Sequence, residues 1–273
     1  MKDKLFDLEG QVAVLTGASG VLVAAMAKEL ARRGARVVIM ARGMEALNKV
    51  CAEIHAAGGI AEAMACDMLQ MDTLAHTAER IRKLFGHIDI LVNGAGGNKK
   101  EATTSPELSF FDIPGAALRS IMDLNLLGTI FPCQVFGKIM AQQKRGVIIN
   151  ISSMNSFRPL TRIIGYSAAK AAINNVTQWL AVHMAQNYSP EIRVNAIAPG
   201  FFETQQNKFL LRDEKTGQLT ARGNQIIGHT PAGRFGAPED LLGALVWLVS
   251  PSASFVSGIV VPVDGGFSAY SGV

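Results

Sequence analysis

Seven short apolar runs rich in β-branched residues recur along the chain, separated by longer segments with helical spacing. Most of these runs are continuous rather than alternating, as expected of strands covered on both faces. The predicted strands are Val12–Thr16, Arg36–Ala41, Ile60–Ala65, Ile88–Asn93, Gly146–Ile151, Ile192–Ala198 and Ile259–Val263. The predicted helices lie near 22–33, 44–56, 70–84, 116–142, 166–187 and 238–249. This alternation predicts an α/β fold, a Rossmann-type doubly wound seven-stranded parallel sheet with helices on both faces.

No Pro- or Ser-rich linker divides the 273 residues, and no repeat with a period of about 20 to 50 residues is visible. We therefore predict one domain over residues 1–273. The exception to the short connections is Gly200–Gly236, which has a polar tip at Asp213–Gly217. Long irregular connections in compact domains are usually functional, so this segment is predicted to be a substrate lid.

Composition and charge narrow the class of protein. The chain is 49% hydrophobic and 18% charged with a net charge of +4, which excludes a disordered chain or a coiled coil. The charges are scattered, so we expect no nucleic-acid partner. No apolar run approaches the roughly 18 to 20 residues that span a bilayer, and acids interrupt the N-terminus where a signal peptide is apolar. We expect a cytoplasmic protein without membrane contact.

The numbers and spacing of the cysteines and histidines bear on the cellular compartment and on metal binding. Cys51, Cys66 and Cys133 are odd in number and widely spaced, which fits a reducing compartment and no disulfide framework. The five histidines lie far apart and form no metal-ligand spacing. We therefore expect no metal site.

A glycine-containing turn, Leu15–Val23, follows the first predicted strand and opens the first helix. Gly17 and Gly20 let the backbone come close to a phosphate, and the helix N-terminus favours negative charge. Ser19 could add a hydroxyl donor. The alternative interpretation is a tight strand-to-helix turn without a ligand.

The end of the second strand bears on which dinucleotide would bind. A carboxylate at this point would accept a hydrogen bond from the ribose 2′-OH and select NAD. The chain instead has Ala41 and then Arg42, whose guanidinium suits a 2′-phosphate. This predicts NADP(H) in preference to NAD(H), the alternative being Arg42 as the solvated start of the next helix.

Tyr166 and Lys170 form the strongest chemical motif in the chain. Residues i and i+4 of a helix share one face, and a nearby ammonium lowers the pKa of a phenol that is otherwise a poor acid-base catalyst at neutral pH. Ser153 lies at the end of the predicted strand Gly146–Ile151. Its hydroxyl could hydrogen-bond the substrate oxygen that Tyr166 protonates.

With these motifs in order, the chain resembles the short-chain dehydrogenase/reductase family over essentially its whole length. The resemblance implies that Tyr166 is the general acid or base, Ser153 polarises the carbonyl, Lys170 assists Tyr166 and binds the nicotinamide ribose, and Asn125 helps to hold a proton-relaying water. The cofactor contacts that it implies are Gly17, Ser19, Gly20, Leu22, Arg42, Asp67, Met68, Asn93, Ala95, Gly96, Tyr166, Lys170, Pro199, Gly200 and Thr204.

The chain departs from the family pattern at Val21 and Val23, where the turn normally carries further glycines. The last of those glycines usually allows close packing of the helix on the strand and leaves room for the cofactor. A branched side chain there predicts that the turn shifts or that cofactor affinity falls. It also supports a rival class, a non-catalytic relative that binds dinucleotide weakly or not at all.

Polar and cationic residues dominate the predicted substrate region, which favours a polyhydroxylated anionic substrate over a steroid or a long acyl chain. The candidate substrate contacts are Asn98, Asn155, Arg158 and Gln206. Residues 155–251 are similar to the sugar-acid branch of the family, oxidoreductases acting on D-mannonate and D-fructuronate. The resemblance leaves gluconate 5-dehydrogenase and 3-ketoacyl reductase as alternatives. It also implies a homotetramer or homodimer built on the helices near 116–142 and 166–187.

Overall fold

The computed structural model describes residues 5–204, 208–213 and 216–272. Seven strands form one parallel sheet in the order β3-β2-β1-β4-β5-β6-β7, which confirms the predicted doubly wound architecture. The strands are β1 (Val12–Thr16), β2 (Arg36–Ala41), β3 (Ile60–Ala65), β4 (Ile90–Asn93), β5 (Gly146–Ile151), β6 (Ile192–Pro199) and β7 (Val260–Val263).

The helices of the described residues follow the predicted alternation. They are α1 (Val21–Arg32), α2 (Met44–Ala56), α3 (Met71–Phe85), α4 (Gly115–Met122), α5 (Gly128–Gln143), α6 (Ile164–Asn187), α7 (Lys208–Leu211), α8 (Ala221–Gly228) and α9 (Leu242–Val249). The single helix predicted near 116–142 is wrong in detail, because a π-helical turn at Asp123–Leu127 separates α4 from α5. The predicted start of the last helix is instead a 3₁₀ turn, Pro238–Leu241.

Alternating strand residues fill two apolar layers, one on each face of the sheet. In β1, Ala13 and Leu15 pack on the side of α1, α2 and α9, whereas Val12 and Val14 pack on the side of α3, α5 and α6. Both sets are fully buried. The continuous apolar character of the run therefore arises because each face of the strand is covered by helices.

The connection Gly200–Gly236 is less irregular than its composition predicts, since it contains α7 and α8. Apart from Phe202, which belongs to the layer on the α1 side, it packs through a small separate apolar cluster. The buried members of that cluster are Met154, Leu211, Ile226, Phe235 and Phe267. Because Met154 comes directly after Ser153, this satellite cluster attaches the segment to the end of β5.

One stretch, Gly115–Gln143, is long and apolar enough by length and composition to cross a membrane, with a mean hydropathy of 1.2 over 18 residues. This corrects the expectation that no stretch of the chain approaches such a span. Half of that window is buried inside the fold. The burial is typical of a core helix of a globular domain.

Candidate active site

The carboxyl ends of all seven parallel strands lie at one edge of the sheet. Thr16 at the end of β1 pairs with Asn93 of β4, which pairs in turn with Asn150 of β5. Strand order reverses at β1, whose neighbours are β2 on one side and β4 on the other. Ligands of open α/β sheets bind in the crevice that such a reversal creates.

The turn after β1 brings the backbone close to the neighbouring strand end. Gly17 has φ = 72°, and a Cβ there would lie 2.6 Å from the backbone N of Ala95. The Thr16 hydroxyl accepts from the backbone N–H groups of Gly94 and Ala95 at 3.2 and 3.3 Å. Helix α1 then begins without a side-chain cap and without an acidic residue in its first turn. Its N-terminal N–H groups are thus suited to an anionic diphosphate.

Val23 does not obstruct this turn. Its side chain is 4% exposed and belongs to the apolar layer on the α1 side of the sheet, whereas Val21 is exposed to solvent. A Cβ on Gly94 would collide with the Val23 Cγ2 methyl group. The close approach of helix and strand is therefore preserved, because the glycine missing at residue 23 is matched by one at residue 94.

Arg42 and Asp67 follow β2 and β3 at the same edge. Arg42 is exposed, and no carboxylate among the residues that the structure describes pairs with its guanidinium. Asp67 is half-buried and accepts from the backbone N of Leu69 at 3.0 Å. A cation thus follows β2 and a carboxylate follows β3, at the same edge of the sheet as the glycine turn.

The side chains of Asn93 and Met68 are buried rather than open to a ligand. Asn93 is 1% exposed, and its Nδ2 donates to Asn150 Oδ1 at 2.9 Å and to Cys133 Sγ at 3.1 Å. Met68 is 5% exposed and packs in the layer on the α3 side of the sheet. Both residues stay predicted cofactor contacts, and any contact that they make with a cofactor is through their backbone atoms.

Ser153, Tyr166 and Lys170 are brought together although they come from different elements. Ser153 follows β5, whereas Tyr166 and Lys170 lie one turn apart on α6. The hydroxyl of Ser153 lies close enough to that of Tyr166 for a hydrogen bond to lower the Tyr166 pKa. The Lys170 Nζ lies 5.6 Å from the centroid of the Tyr166 ring and donates to the Ile151 carbonyl at 2.7 Å.

Burial controls the protonation of this group. It raises the pKa of Tyr166, and the hydrogen bond with Ser153 acts in the opposite direction without cancelling the rise. Burial also lowers the pKa of Lys170 to about 8. The expectation that the ammonium leaves Tyr166 with a lowered pKa is therefore wrong for the protein without ligand. At neutral pH Tyr166 is a protonated phenol that can donate, and Lys170 is charged but close to titrating.

Asn125 lies in the π-helical turn between α4 and α5, a feature often found at functional sites. Its Nδ2 donates to the carbonyls of Gly97 and Ile121 at 2.8 and 2.9 Å, and its Oδ1 accepts from the Gly97 N–H at 3.1 Å. A Cβ on Gly96 would lie 2.7 Å from Asn125 Oδ1 and 3.4 Å from Lys170 Nζ. Asn125 is fully buried in the packing beside Lys170.

The remaining cofactor candidates also lie along this edge of the sheet. Gly200 follows β6, donates to the Val263 carbonyl at 2.9 Å and would place a Cβ only 2.6 Å from Asp264 Cα. Pro199 is buried at the end of the strand, and Thr204 is half-buried. Ser19 is exposed and Leu22 half-buried in the turn after β1. These residues lie at or just after the ends of β1 and β6, along the same edge of the sheet.

The four candidate substrate residues have different surroundings. Asn155 is 4% exposed, its Oδ1 has no hydrogen-bond partner among the described residues, and its N–H donates to Ser153 Oγ at 3.3 Å. Asn98 donates to Thr103 Oγ1 at 2.8 Å. Arg158 is exposed and donates through Nε to the Ser268 carbonyl at 3.2 Å, so it also tethers the C-terminal segment. Gln206 lies outside the described residues.

Sequence reasoning missed the polar groups that support the catalytic serine. Asn174 bonds to Ser152 and to Ser156, the residues on either side of the turn that contains Ser153. The sequence did contain a signal for Asn174, because Tyr166, Lys170 and Asn174 are spaced by four residues and share one face of a helix. Only the structure shows that this face meets the end of β5.

A glycine turn suited to a diphosphate and a Ser-Tyr-Lys group at one sheet edge define an oxidoreductase that acts on alcohol groups. The chain belongs to the short-chain dehydrogenase/reductase family, since residues 17–268 match the family model described as enoyl-(acyl carrier protein) reductase.

Full-length relatives agree with this assignment. An uncharacterized oxidoreductase of Bacillus subtilis is 49% identical over 276 residues, covering 98% of each chain. The 2-dehydro-3-deoxy-D-gluconate 5-dehydrogenase of Escherichia coli is 35% identical over 267 residues, covering 97% of this chain and 98% of that protein.

Solved structures are similar along the whole chain. A provisional D-mannonate oxidoreductase of Haemophilus influenza with bound NAD has 46% identity and a TM-score of 0.92, covering 98% of each chain. A provisional NAD(P)-dependent gluconate 5-dehydrogenase of Beutenbergia cavernae with bound NADP has 33% identity and a TM-score of 0.85, covering 97% of this chain and 99% of that one. A nicotinamide dinucleotide is therefore the cofactor class, and the choice between its two forms differs among relatives.

Proposed function

We propose that this protein interconverts a keto-uronate and a hydroxy sugar acid of the D-fructuronate and D-mannonate type, with NADP(H) as cofactor. The observation that carries the proposal is the hydrogen-bonded Ser153 and Tyr166 beside buried Asn155, whose Oδ1 has no partner in the part of the chain that the structure describes. An unpaired buried amide oxygen next to the catalytic pair suits a substrate hydroxyl, because it would otherwise stay unsatisfied.

In the reduction, Tyr166 donates its proton to the substrate carbonyl oxygen while Ser153 hydrogen-bonds the same oxygen. Lys170 stabilises the phenolate left on Tyr166, and the reverse reaction returns the hydroxyl proton to that phenolate. When bound, the nicotinamide supplies the hydride to the substrate carbon or accepts it. Gly17, Gly20 and the start of α1 would hold the diphosphate, while Pro199, Gly200 and Thr204 would hold the nicotinamide end.

Charge at the rim supports an anionic substrate. Lys99, Arg158 and Arg162 lie on exposed loops that follow β4 and β5, so they stand at the edge of the sheet where the catalytic pair lies. Cations in such positions favour a carboxylate. We propose that residues 200–236 close over this substrate as a lid, with the satellite cluster as its attachment.

A substrate panel tests the reaction. Oxidation of NADPH is followed with D-fructuronate, 5-ketogluconate and an acetoacetyl thioester, with Tyr166→Phe as the inactive control. We expect the highest kcat/KM with D-fructuronate. Preference for 5-ketogluconate would support a gluconate 5-dehydrogenase, the activity of a Gluconobacter oxydans relative that is 34% identical. Preference for the thioester would support a 3-ketoacyl reductase. Absence of turnover and of NADPH binding would support the non-catalytic class.

The preference for NADP(H) rests on the exposed, unpaired guanidinium of Arg42. An Arg42→Ala variant should weaken NADPH binding by about tenfold through loss of a charge-assisted contact with the 2′-phosphate, and change NADH binding less than about twofold. Fluorescence titration of the bound nucleotides measures both constants. Equal losses for the two nucleotides would show that Arg42 does not read the 2′-phosphate.

We also propose assembly as a homotetramer or a homodimer through α5 and α6. Trp179 and Val182 on α6 are 62% and 56% exposed, and a groove of about 830 Å³ runs between α5 and α6. An apolar helix face of this kind suits a second copy of the chain. Light scattering of Trp179→Glu should show a smaller particle than the wild type. An unchanged mass would exclude this face as the interface.

A cytoplasmic location is proposed on the state of the thiols. Cys51, Cys66 and Cys133 are all free and buried, and burial raises the pKa of each. Such thiols are typical of a reducing compartment. Fractionation of the source cells with detection by antibody checks the location.

A further inference from the structure

Two elements carry the catalytic groups, and a small polar network joins them away from the reacting atoms. Ser152, Ser153 and Ser156 lie at the turn after β5, whereas Asn174 lies on α6 two turns beyond Tyr166. Ser152 Oγ donates to Asn174 Oδ1 at 2.6 Å, and Asn174 Nδ2 donates to Ser156 Oγ at 2.8 Å. One amide therefore bonds to the turn on both sides of Ser153.

The network continues to the backbone of the catalytic serine. Ser156 Oγ donates to the Ser153 carbonyl at 2.5 Å, and the Ser156 N–H donates to the same carbonyl at 2.9 Å. The backbone of Ser152 is fixed by its own N–H, which donates to Ile197 of β6 at 2.8 Å. The position of Ser153 is thus determined by the sheet on one side and by α6 on the other.

The direction of the amide follows from the distances. A separation of 2.6 Å is ordinary for an O–H···O bond and short for an N–H···O bond, so the Asn174 oxygen faces Ser152 and its nitrogen faces Ser156. This orientation leaves the Ser156 hydroxyl free to donate to the Ser153 carbonyl. An aspartate at residue 174 would keep the acceptor but lose the donor to Ser156.

We propose that Asn174 is a positioning residue, which holds the turn that carries Ser153 at a fixed place against the helix that carries Tyr166 and Lys170. The proposal rests on the proposed chemistry of that group. It follows that Asn174 acts on the turnover step, in which Ser153 and Tyr166 must meet one oxygen atom. The turn that would hold the diphosphate belongs to other elements, β1 and α1, so a change at Asn174 should leave dinucleotide affinity nearly unchanged.

The test compares Asn174→Ala and Asn174→Asp with Asn175→Ala, a change at the exposed neighbouring residue on the same helix. A displacement of a catalytic group by about 1 Å reduces turnover by up to about 100-fold, so we expect kcat to fall roughly 10- to 100-fold in Asn174→Ala. The Kd for NADPH should change less than about twofold. Asn175→Ala should match the wild type, and Asn174→Asp should lie between.

A second experiment distinguishes a positioning role of Asn174 from a role in stability, and it does not depend on the proposed reaction. In an Asn174→Leu variant, Ser152 keeps a second acceptor, the Lys170 carbonyl at 3.3 Å, so the protein should fold. Its crystal structure should show Ser153 Oγ displaced from Tyr166, a result that needs no substrate. If the wild type reduced no sugar acid, the proposed function would fail while this structure still decided the role of Asn174. Wild-type kcat in folded Asn174→Ala, or an unmoved Ser153 in Asn174→Leu, would overturn the proposal.

Discussion

The catalytic group and the proposed lid are held in place by different means. Ser153, Tyr166 and Lys170 are buried or half-buried at the meeting of β5 and α6, and Lys170 Nζ donates to the Ile151 carbonyl at 2.7 Å. Residues 200–236 contribute Leu211, Ile226 and Phe235 to the satellite apolar cluster and Phe202 to the layer on the α1 side of the sheet. Their ion pairs are partly exposed, Arg212 with Glu203 at 2.7 Å inside the segment and Arg234 with Asp240 at 2.6 Å at its end. The difference teaches that the proposed reacting groups are preorganised by the core, whereas the proposed lid is held by fewer buried contacts and is expected to open locally more readily.

Removing the phenol should have the largest effect. Tyr166→Phe keeps the ring and removes the proton donor, so we expect kcat to fall about 10³- to 10⁴-fold. The melting temperature should stay near that of the wild type, because the change leaves the surrounding packing intact. Steady-state kinetics and circular dichroism measure the two quantities, with Tyr188→Phe at the end of α6 as the control. A fall of less than about tenfold would remove Tyr166 from the chemistry.

Replacing Lys170 with an apolar residue should lower activity but raise the stability of the fold. Its pKa of about 8 in the fold lies below the value of an unfolded lysine, so burying the charge destabilises the fold at neutral pH. Lys170→Met should reduce kcat about 100-fold and raise the free energy of unfolding by ~2 kcal/mol at pH 7, after allowance for the lost bond to Ile151.

The change of stability with pH is a second test of the lowered Lys170 pKa. Between the folded pKa of about 8 and the higher unfolded value, the unfolded state binds more protons, so wild-type stability should rise with pH in that window. Lys170→Met should lack this rise, whereas exposed Lys138→Met should keep it. Urea denaturation at a series of pH values measures both, and an identical rise in Lys170→Met would contradict the assignment.

Turnover should follow the charge of Lys170. With saturating substrate, the rate of carbonyl reduction should fall about tenfold per pH unit above about 8, as the ammonium that stabilises the phenolate is lost. A pH–rate profile of kcat measures the midpoint. A flat profile to pH 10 would show that Lys170 keeps its proton throughout the cycle.

Substitutions in the proposed lid should change KM for the substrate rather than kcat. Phe235→Ala removes a buried ring from the satellite cluster, so we expect KM for the carbonyl substrate to rise about fivefold with kcat within about twofold. By contrast, Phe136→Ala at the centre of a main layer should reduce global stability by about 3–5 kcal/mol. Equal losses of global stability in the two variants would show that the lid unfolds only with the core.

The smallest effect is expected at the surface of the lid. Arg212→Ala breaks the ion pair with Glu203, whose partners are partly exposed, so KM should rise no more than about twofold. The change should disappear in high salt, because screening weakens the same pair in the wild type. A larger effect that persists in high salt would instead place Arg212 on the substrate.

Much of the fold could be predicted from sequence because its signals are local. Apolar runs of strand length and glycines at helix ends identify β1 to β3 almost residue by residue. The π-helical turn around Asn125 has no such signal, since it interrupts a helix whose apolar pattern continues on both sides. It depends on bonds to Gly97, which is 28 residues earlier in the chain.

The sequence indicates which residues meet at the candidate site, but it does not indicate how their side chains are oriented. The catalytic trio follows from spacing along α6 and the end of β5. Whether Asn93 and Met68 face a groove or the interior depends on sheet register and on the helix packed against them, and a motif does not specify either. Asn155, although it was predicted to contact substrate, is informative only because the structure shows its oxygen buried and unpaired.

The pairing of Val23 with Gly94 has a consequence for how the chain can change. Restoring glycine at residue 23 alone would open a void between α1 and β4, and enlarging residue 94 alone would drive a side chain into Val23. Each single step is disfavoured, so the two residues constrain each other and are exchanged together or not at all. A pattern search that demands glycine at residue 23 would pass over a chain whose backbone makes the same close approach by a different route.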